Sequence, residues 1–415
     1  MTTPDPKEPT ISRRGLLGGA AAMATSMSVL GGLNVLAADA AKPAATQRKI
    51  KLGLVGCGGR GQWLVPLFMK HGGYELHAVA DYFPEVAEAA GAKFGAAKTR
   101  RFSGLSGYKK LIDCGVEAVA IEDVPYFYAE QSKAAVEAGL HVYMAKPIAV
   151  DVPGCLTIQA AAQQATRKER CFLVDYQLPH DPACIEVATR VREGGLGKLA
   201  HIASFGIAWQ AWPDPALGKT IESRLRDEIW LSDTALSGDT IVSYDIHIID
   251  GIVWTLGQRP TAACGRSRTC RPDPHGDRTD AASVIYELGD GGLWTHVTQC
   301  LNNNIDITTL SASFCGTQAT AHLQYGGKNY VRGGARHYSG TSGDLFQQGV
   351  VQNIAAFYRN IVEGHHENLS AQRAVDGTLT AILGREAAAR RCYLTMDELI
   401  KENKPLKVNL EGLKV

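Results

Sequence analysis

The sequence has almost no net charge, because 43 lysines and arginines are balanced by 42 aspartates and glutamates. It therefore lacks the excess of one sign that is typical of proteins binding nucleic acid, and no such partner is predicted. It also lacks internal repeats and, beyond an alanine-rich start, low-complexity segments. With 415 residues, 45% hydrophobic and 20% charged, the chain is long enough for two ordinary globular domains.

No C-x-x-C pair occurs among the ten cysteines, and this absence excludes zinc-ribbon and thioredoxin motifs. Most of the cysteines lie in apolar strand or helix patterns, where a cysteine is usually a small buried hydrophobe. We expect free thiols, although Cys264 and Cys270 are close enough in sequence to pair. No metal site is predicted.

The first forty residues have the pattern of a targeting segment. Arg13 and Arg14 precede a weakly apolar run, and Ala38-Asp39-Ala40 supplies an A-x-A site. This pattern is typical of a twin-arginine (Tat) export signal, with an uncleaved membrane anchor or a chance arginine pair as alternatives. We predict a signal over 1–40 cleaved near Ala40, a linker over 41–48, and a periplasmic or secreted protein without stable membrane insertion. Since this route carries folded proteins, a cofactor bound before export would have to be held tightly.

A glycine-rich loop follows the first apolar strand of the mature chain. It reads Gly56-Cys57-Gly58-Gly59-Arg60-Gly61, which fits G-x-G-x-x-G, and a second strand ends at Asp81, twenty positions after Gly61. This layout is that of a dinucleotide-binding βαβ unit. In it, Gly56 permits the turn, Gly58 lets the backbone approach a pyrophosphate, and Gly61 lets the helix pack closely. The helix N-terminus favours phosphate.

The cofactor predicted from this unit is NAD, with NADP as the alternative. The Asp81 carboxylate can accept hydrogen bonds from the adenosine ribose, and its charge would repel a 2′-phosphate. The predicted cofactor-binding residues are Gly56, Gly58, Gly59, Arg60, Gly61, Asp81, Asp123, Pro125 and Lys146.

Two architectures follow each other along the chain. Strands and helices alternate over 49–176, which predicts a Rossmann domain with a doubly wound parallel sheet. Residues 177–415 contain a helical run over 238–257 and then long strands with few helices, which predict an α+β domain with a large, open, mostly antiparallel sheet. Residues 326–343 are glycine-rich and predicted to be a loop. Helices over 344–363 and 371–391 are expected to pack back on the rest of the chain.

Four segments together resemble the Gfo/Idh/MocA family (glucose-fructose oxidoreductase, inositol dehydrogenase, MocA). They are VGCGGRG, AAVEAGLHVYMAKPIAVD, HIIDGIVWTLG and AVDGTLTAILGREAA. The resemblance implies a Rossmann domain, an open antiparallel sheet often used for oligomerisation, and oxidation of sugars, cyclitols or polyols with NAD or NADP. A carbohydrate substrate and a homodimer or homotetramer are therefore expected. The twin-arginine start agrees with the exported branch of that family.

The resemblance also implies two catalytic residues. The family's Glu-Lys-Pro motif reads Ala145-Lys146-Pro147 here, and Lys146 is expected to stabilise an alkoxide as hydride leaves the carbon. His247 matches the family histidine that takes the proton. Four positions earlier the family has an aspartate, where this chain has Ser243. Asp245 would lie about 200° round a continuous helix from the missing acid and is not expected to replace it.

Asp250 shares a helix face with His247 and has two interpretations: it orients the imidazole, or it completes a buried hydrogen-bond network. Other departures from the family are Asp123-Val124 before Pro125, where Thr-Pro is common, and tyrosines at 126 and 128, where histidines are common. The weaker substrate-contact candidates are Tyr126, Tyr176, Gln177, His180 and Ser243.

Three functions remain open at this point. The first is an NAD-dependent oxidoreductase acting on CH–OH groups of carbohydrates, in which His247 takes the hydroxyl proton and Lys146 holds the developing charge. The second is a glycosidase that recycles bound NAD through oxidation, elimination, hydration and reduction. The third is a noncatalytic nucleotide- or sugar-binding descendant, because the usual family acids are absent at positions 145 and 243.

Overall fold

The structure is a computed structural model that describes residues 48–208, 219–270, 276–301 and 310–415. The expected signal over 1–40 and all of the expected linker except its last residue lie outside the described residues. In the described ranges, no helix combines the length and apolar character needed to cross a membrane.

Alternating strands and helices make up the first part of the described chain. They are β1 Ile50–Val55, α1 Gly59–His71, β2 Tyr74–Asp81, α2 Pro84–Phe94, β3 Arg101–Ser103, α3 Gly107–Ile112, β4 Ala118–Ile121, α4 Tyr128–Glu137, β5 His141–Met144, α5 Val152–Arg167 and β6 Phe172–Val174. The strands are all parallel and lie in the order β3-β2-β1-β4-β5-β6. β1, β4 and β5 are buried almost throughout, as expected for a sheet covered on both faces. The predicted doubly wound sheet is confirmed.

The second part begins with short helices and one long strand. These are α6 Pro182–Arg192, β7 Leu199–Ala208, α7 Ile221–Arg224, α8 Thr234–Ser237, α9 Thr240–Ser243 and α10 Ile246–Leu256. The helical run expected over 238–257 is therefore two helices. They are separated at Tyr244, whose φ of −114° departs from helical geometry, and Asp245 is the residue before α10, without a capping hydrogen bond from its side chain.

The remaining elements complete a second sheet and the C-terminal helices. They are β8 Ala262–Arg268, β9 Ala281–Glu287, β10 Leu293–Cys300, β11 Leu310–Gly316, β12 Ala319–Gln324, β13 Gly327–Gly333, β14 Tyr338–Ser342, α11 Leu345–Glu363, α12 Leu369–Arg390, β15 Leu394–Thr395 and α13 Met396–Glu402. The order in this nine-stranded sheet is β14-β13-β12-β11-β7-β10-β9-β8-β15. Among the described strands of this second sheet, only β7 and β10 pair in parallel, so the predicted, mostly antiparallel sheet is confirmed.

The loop predicted over 326–343 is wrong, because this segment forms β13 and β14 at the edge of the second sheet. Its glycines favour a loop, but tertiary contacts override that local preference. Val331 is fully buried, and the buried Asn329 side chain donates to the Ser342 hydroxyl at 2.8 Å. Its carbonyl oxygen also accepts from the Gln324 backbone N–H at 2.7 Å, which joins β13 to β12.

The helices near the C-terminus pack on both sheets. Phe357 of α11 stacks on Tyr74 of β2 and meets the ring of Tyr143 of β5 edge-on. α12 lies against α5 and β6 of the first sheet and against α10 and β8 of the second part. We call residues 403–415, which follow α13, the C-terminal tail.

Candidate functional site

A cavity of about 380 Å³ opens at the carboxyl ends of β1, β2 and β4. Ligands of doubly wound sheets bind at this edge. The glycine loop forms one wall of the cavity, and Asp81, Glu122 and Asp123 line it from the ends of β2 and β4.

The glycine loop has the local geometry that its sequence predicted. Gly56 has a φ of +87°, and a Cβ there would lie 2.5 Å from the Asp123 backbone nitrogen. A Cβ on Gly61 would lie 2.1 Å from the Gly56 carbonyl oxygen, so only glycine lets α1 approach the strand this closely. A Cβ on Gly58 would instead meet no atom within 4 Å, because it would point into open space.

The start of α1 fits a phosphate group. The helix begins at Gly59 without a capping side chain and without an acidic residue in its first turn. Its first N–H groups and the positive end of its dipole therefore remain available to an anion. Together with the open space at Gly58, these features fit the pyrophosphate of a dinucleotide.

Asp81 closes β2 and is held by two backbone groups. Its carboxylate accepts hydrogen bonds from the N–H of Cys57 at 2.8 Å and of Phe83 at 2.9 Å. Burial, reinforced by the nearby Asp123 carboxylate, raises the pKa of Asp81 to about 6. Asp81 is therefore mainly ionised at neutral pH and can accept hydrogen bonds from ribose hydroxyls.

Two adjacent acids follow β4, and sequence reasoning selected only the second. Asp123 accepts from the Val124 N–H at 2.8 Å and from the Gln131 amide at 2.6 Å. Pro125, which was also predicted to bind the cofactor, is buried at the start of a 3₁₀ turn. Glu122 was missed, although it binds the Arg60 guanidinium at 3.1 Å and has one buried oxygen without a partner. Burial raises the pKa of Glu122 to about 7.

Arg60 connects the glycine loop to a second missed acid. Its guanidinium forms ion pairs with Glu122 and with the fully buried Asp175, which follows β6. Asp175 also accepts from the Asn353 amide at 2.7 Å. Both acids come directly after the last residue of a parallel strand, so the rule that ligands bind at strand ends could have found them.

Lys146 lies two residues beyond the end of β5 and is partly buried. Its amine donates to the Ser243 carbonyl oxygen at 2.9 Å, which links the first sheet to α9. Burial and the positive charge of Arg60 lower the pKa of Lys146 to about 7, against the opposing charges of Asp175 and Glu122. Ser243, one of the predicted substrate contacts, therefore binds Lys146 through its backbone carbonyl oxygen.

His247 is in the first turn of α10 and is only 7% exposed. Its ring packs against Tyr325 with centroids 4.8 Å apart, and its buried Nδ1 atom has no hydrogen-bond partner. Burial and the charges of Lys146 and Arg60 hold the pKa of His247 well below its usual value. The imidazole is therefore neutral at neutral pH and able to accept a proton.

The break between α9 and α10 changes the interpretation of Asp245. The expectation that it could not replace the missing acid assumed one continuous helix, which the structure does not have. Asp245 is fully buried, binds His296 Nε2 at 2.9 Å, and its negative charge raises the pKa of Lys146. It is the acid on this segment whose charge reaches the lysine.

Asp250 faces another group. One of its oxygens accepts from Arg373 Nε at 3.0 Å, and its other oxygen has no partner. It makes no hydrogen bond with His247 within the described residues. The contact with Arg373 of α12 favours the interpretation that Asp250 completes a buried polar network.

The remaining substrate candidates are dispersed. Gln177 is connected to His247 through Tyr325, whose hydroxyl donates to the side-chain Oε1 of Gln177 at 3.0 Å and whose ring packs on the imidazole. Tyr176 is buried beneath Arg373, at 5.4 Å from ring centroid to guanidinium. Burial lowers the pKa of His180, and Arg373 acts in the same direction. The Tyr126 hydroxyl accepts from the Val408 N–H at 3.4 Å, so this residue belongs with the C-terminal tail.

The site thus has two parts joined by one cluster. The cavity contains the glycine loop and Asp81, whereas Lys146 and His247 do not line it. The ion-pair cluster of Arg60, Glu122 and Asp175 connects the two, because Arg60 and Glu122 line the cavity and the Arg60 charge acts on Lys146 and His247. Within the described ranges, no group of three or more His, Cys, Asp or Glu side chains is arranged to hold a metal ion.

Two sequence profiles match this chain. Residues 50–175 match an oxidoreductase family with an NAD-binding Rossmann fold, and residues 185–322 match the GFO/IDH/MocA C-terminal domain. The first match confirms the predicted NAD-binding domain.

Several proteins similar to this chain are named inositol 2-dehydrogenases. Inositol 2-dehydrogenase of Acidothermus cellulolyticus is 29% identical over 162 residues, which are 38% of this chain and 46% of that protein. The chain spans about half the length of the curated relatives it matches.

Two solved structures have a similar fold. Levoglucosan dehydrogenase in complex with NADH has a TM-score of 0.69 at 17% identity, over 84% of this chain and 99% of that one. Scyllo-inositol dehydrogenase from Lactobacillus casei, with bound NAD(H) and scyllo-inositol, has a TM-score of 0.64 at 19% identity, over 84% of this chain and 100% of that one. At these identities the likeness concerns the fold. The two profiles together match more than half of the chain, which therefore belongs to the Gfo/Idh/MocA oxidoreductase family.

Proposed function

We propose that this protein is an NAD-dependent oxidoreductase acting on a CH–OH group of a sugar or polyol. The observation that carries the proposal is that the Lys146 amine binds the Ser243 carbonyl oxygen, four residues before His247, and that its charge lowers the His247 pKa. Both lie near the glycine-loop cavity without lining it. The amine and the imidazole come from different parts of the chain, and the cluster of Arg60, Glu122 and Asp175 connects both to that cavity.

The chain's own residues supply binding, orientation and proton transfer, while the nicotinamide cofactor, when bound, accepts or donates the hydride. The glycine loop and the start of α1 would hold the pyrophosphate of that cofactor, and Asp81 would hold its adenosine ribose. A substrate hydroxyl placed between Lys146 and His247 loses its proton to the neutral imidazole. The Lys146 ammonium stabilises the negative charge that develops on the oxygen. Since Lys146 and the cluster lie at the ends of β4, β5 and β6, the reacting carbon belongs at that side of the sheet.

The cofactor preference is NAD over NADP. Asp81 carries a negative charge at neutral pH and is fixed by two backbone hydrogen bonds, so it cannot easily turn away from a 2′-phosphate. Calorimetry on the ligand-stripped protein should detect NAD binding and much weaker NADP binding. Failure to bind either nucleotide in any oxidation state would refute the enzymatic proposal.

One set of assays separates the three functions. The purified protein is first analysed by intact mass spectrometry for retained nucleotide and then incubated with a panel of sugars, polyols and glycosides. A ketosugar formed together with NADH supports the oxidoreductase. Free sugar released from a glycoside without added nucleotide supports the NAD-recycling glycosidase, and bound but redox-inert NAD across the panel supports the noncatalytic descendant.

Export and assembly are part of the proposal. The twin arginines at 13 and 14 support Tat export with cleavage near Ala40, and N-terminal sequencing of periplasmic protein tests the cleavage site. The outer face of the second sheet supports a homodimer or homotetramer. Ile285, Leu293 and Val297 point away from the core on that face and are 36–46% exposed.

A further inference from the structure

The C-terminal tail binds the loops that surround the cavity. The Lys414 carbonyl oxygen accepts from the Leu105 N–H at 2.9 Å, and the Lys414 N–H donates to the Tyr82 hydroxyl at 3.2 Å. Tyr82 follows β2, and Leu105 lies in the loop after β3. The tail is also bound nearer its start, where the Leu406 N–H donates to the Asp151 carboxylate at 2.8 Å.

The tail forms part of the cavity wall. Leu410 and Val415 line the cavity, together with Leu225 and Trp230 from the segment between α7 and α8. Leu225, Trp230 and Leu410 are packed in one apolar cluster that is separate from the main cores. Its buried members are Phe83, Val124, Leu225, Leu236 and Leu413.

Charge and ring contacts join the 225–230 segment to the same loops. The Arg226 guanidinium lies 3.8 Å from the centroid of the Phe83 ring and forms an ion pair with Glu85. Tyr82 donates to Glu222 of α7 at 3.1 Å. The tail and the 225–230 segment therefore both contact the loop after β2.

The position of these contacts identifies the part of the cofactor that they would touch. The glycine loop at β1 takes the pyrophosphate, and Asp81 at the end of β2 takes the adenosine ribose. The neighbouring loops after β2 and β3 then lie at the adenine, whereas Lys146 and Asp175 lie after β5 and β6 on the opposite side. The end of the tail, at Lys414, binds the adenosine side of this edge.

We propose that the C-terminal tail and the 225–230 segment form a cover over the adenosine half of the cofactor site, contacting the adenine through Leu410 and Trp230. This inference rests on the proposed function and adds adenine-binding residues to it. With the tail in place, the adenine is enclosed between the loops after β2 and β3 and an apolar wall. Release of the cofactor then requires the tail to detach, and the cover acts mainly by slowing dissociation.

The test is a variant that ends after Asn409, compared with the full-length protein. Dissociation of bound NADH is followed by stopped-flow displacement with excess NAD, using energy transfer from tryptophan to the reduced nicotinamide. We expect the dissociation rate to rise by roughly tenfold or more, because losses of apolar contact act mostly on dissociation rates. Affinity for ADP-ribose should fall by a similar factor, and affinity for nicotinamide mononucleotide should not change.

Two further variants keep the test independent of folding. Leu410→Ala removes one wall contact and leaves the hydrogen bonds of Lys414 intact, and it should raise the dissociation rate by a smaller factor. Val362→Ala, at a 51% exposed position of α11 that does not line the cavity, is the matched control and should behave as the full-length protein.

The outcomes distinguish this inference from the proposed function. Full-length protein that binds NADH, with equal dissociation rates in the Asn409 truncation and Leu410→Ala variants, overturns the cover and leaves the oxidoreductase standing. A truncated protein that loses affinity equally for ADP-ribose and nicotinamide mononucleotide also overturns it. Full-length protein that binds no nucleotide overturns both proposals.

Discussion

At the scale of single residues, Lys146 and His247 have pKa values displaced in the same direction by the same cause. Burial disfavours the charged form of both side chains, and it lowers the pKa of Lys146 to about 7 and that of His247 well below its usual value. Between these two pKa values the imidazole is neutral while most of the lysine is charged. This is the combination that the proposed chemistry needs, a proton acceptor beside a cation.

The first prediction concerns the pH dependence of kcat/KM for oxidation. The value should rise with pH as His247 loses its proton, in the acidic range below 6.5, and should fall as pH rises through about 7, where Lys146 loses its charge. Initial rates at saturating NAD over a pH series measure both limbs. A rate that instead increases through pH 7 would assign the lysine the role of base and contradict the roles proposed here.

The second prediction concerns Lys146→Met, which keeps the length of the side chain and removes its charge. Turnover should be abolished while NAD affinity in calorimetry stays close to that of the parent protein. The lysine also affects how the stability of the fold depends on pH. Because the lysine pKa is lowered on folding, the unfolded chain binds the proton more tightly, and the parent protein loses stability as pH falls from about 10 to about 7.

The methionine variant has no such proton to bind, so this part of its pH dependence should vanish. Denaturant unfolding at pH 7 and pH 10 measures the difference between the two proteins. Normal turnover in Lys146→Met would remove the lysine from the mechanism, whatever the stability data show.

The third prediction compares Asp245, which precedes α10, with Asp250, which lies within that helix. Asp245→Asn removes a negative charge that raises the Lys146 pKa, so the alkaline limb of the rate profile should move to lower pH. Asp250→Asn is the matched control, because Asp250 binds Arg373 and does not act on the lysine. In Asp250→Asn, the alkaline limb of the rate profile should stay at the same pH as in the parent protein. Equal shifts in the two variants would contradict the assignment of Asp245 to the lysine.

At the scale of elements, the strand–loop–helix unit from β1 to α1 is built around glycines with different functions. Gly61 is needed for packing, because a Cβ there would overlap the Gly56 carbonyl oxygen. Gly58 has ordinary backbone angles, with φ −71° and ψ −163°, and faces open space. Its lack of a Cβ is therefore unnecessary for folding and becomes important only when a ligand approaches.

The fourth prediction separates these two glycines. Gly61→Ala should lower the free energy of unfolding by about 1–3 kcal/mol, because α1 must move away from the sheet. Gly58→Ala should leave the melting temperature unchanged and lower NAD affinity by roughly tenfold or more, since the new methyl group occupies the space of the pyrophosphate. Thermal unfolding without nucleotide and calorimetry with NAD measure the pair. A Gly58→Ala protein with unaltered affinity would show that the pyrophosphate binds elsewhere.

The elements also show what could be predicted from the sequence. The glycine loop, Asp81 and the parallel sheet follow from short-range patterns, since a strand, a turn and a helix are specified by adjacent residues. The hairpin of β13 and β14 could not be predicted, because it is stabilised by Asn329 reaching β12 and Ser342 across the sheet. The break at Tyr244 could not be predicted either, because it lies within an apolar run that is typical of one helix.

The candidate site was only half predictable for the same reason. Lys146 and His247 came from the resemblance to a family. The acids that surround them did not. The positions of Glu122 and Asp175 directly after strands could have marked them, but their ion pairs with Arg60, and the effect of Asp245 on the lysine, depend on segments that are distant in sequence. Asp250 shares a helix face with His247, and the sequence left open whether it orients the imidazole or joins a buried network. Its contact with Arg373 favours the network.

At the scale of the whole molecule, the second sheet has one covered and one open face. Buried and exposed residues alternate along β9 and β10, which places Trp294 and Tyr286 in the core and Ile285 and Val297 outside. Val297 pairs with Phe205 of β7 across the parallel ladder, so the apolar strip continues onto a third strand. A strip of this kind on a large sheet is typical of a protein interface.

The fifth prediction concerns that strip. Ile285→Lys places a charge in this strip and should convert the proposed homo-oligomer into monomers with unchanged NAD affinity. Sedimentation velocity on both proteins at equal concentration measures the subunit number. The control is Val362→Lys, at a solvent-exposed position of α11. A parent protein that sediments as a monomer would remove the oligomer from the proposal.

The packing of α11 on the first sheet has a consequence for biosynthesis. Phe357 and Tyr358 cover Tyr74 and Tyr143, which belong to strands made more than two hundred residues earlier. During translation, the nucleotide-binding sheet cannot bury this aromatic face until the ribosome has passed residue 358. The nascent chain must therefore remain unaggregated, with that face exposed, through most of its own synthesis, which makes it a substrate for chaperones that recognise apolar surface.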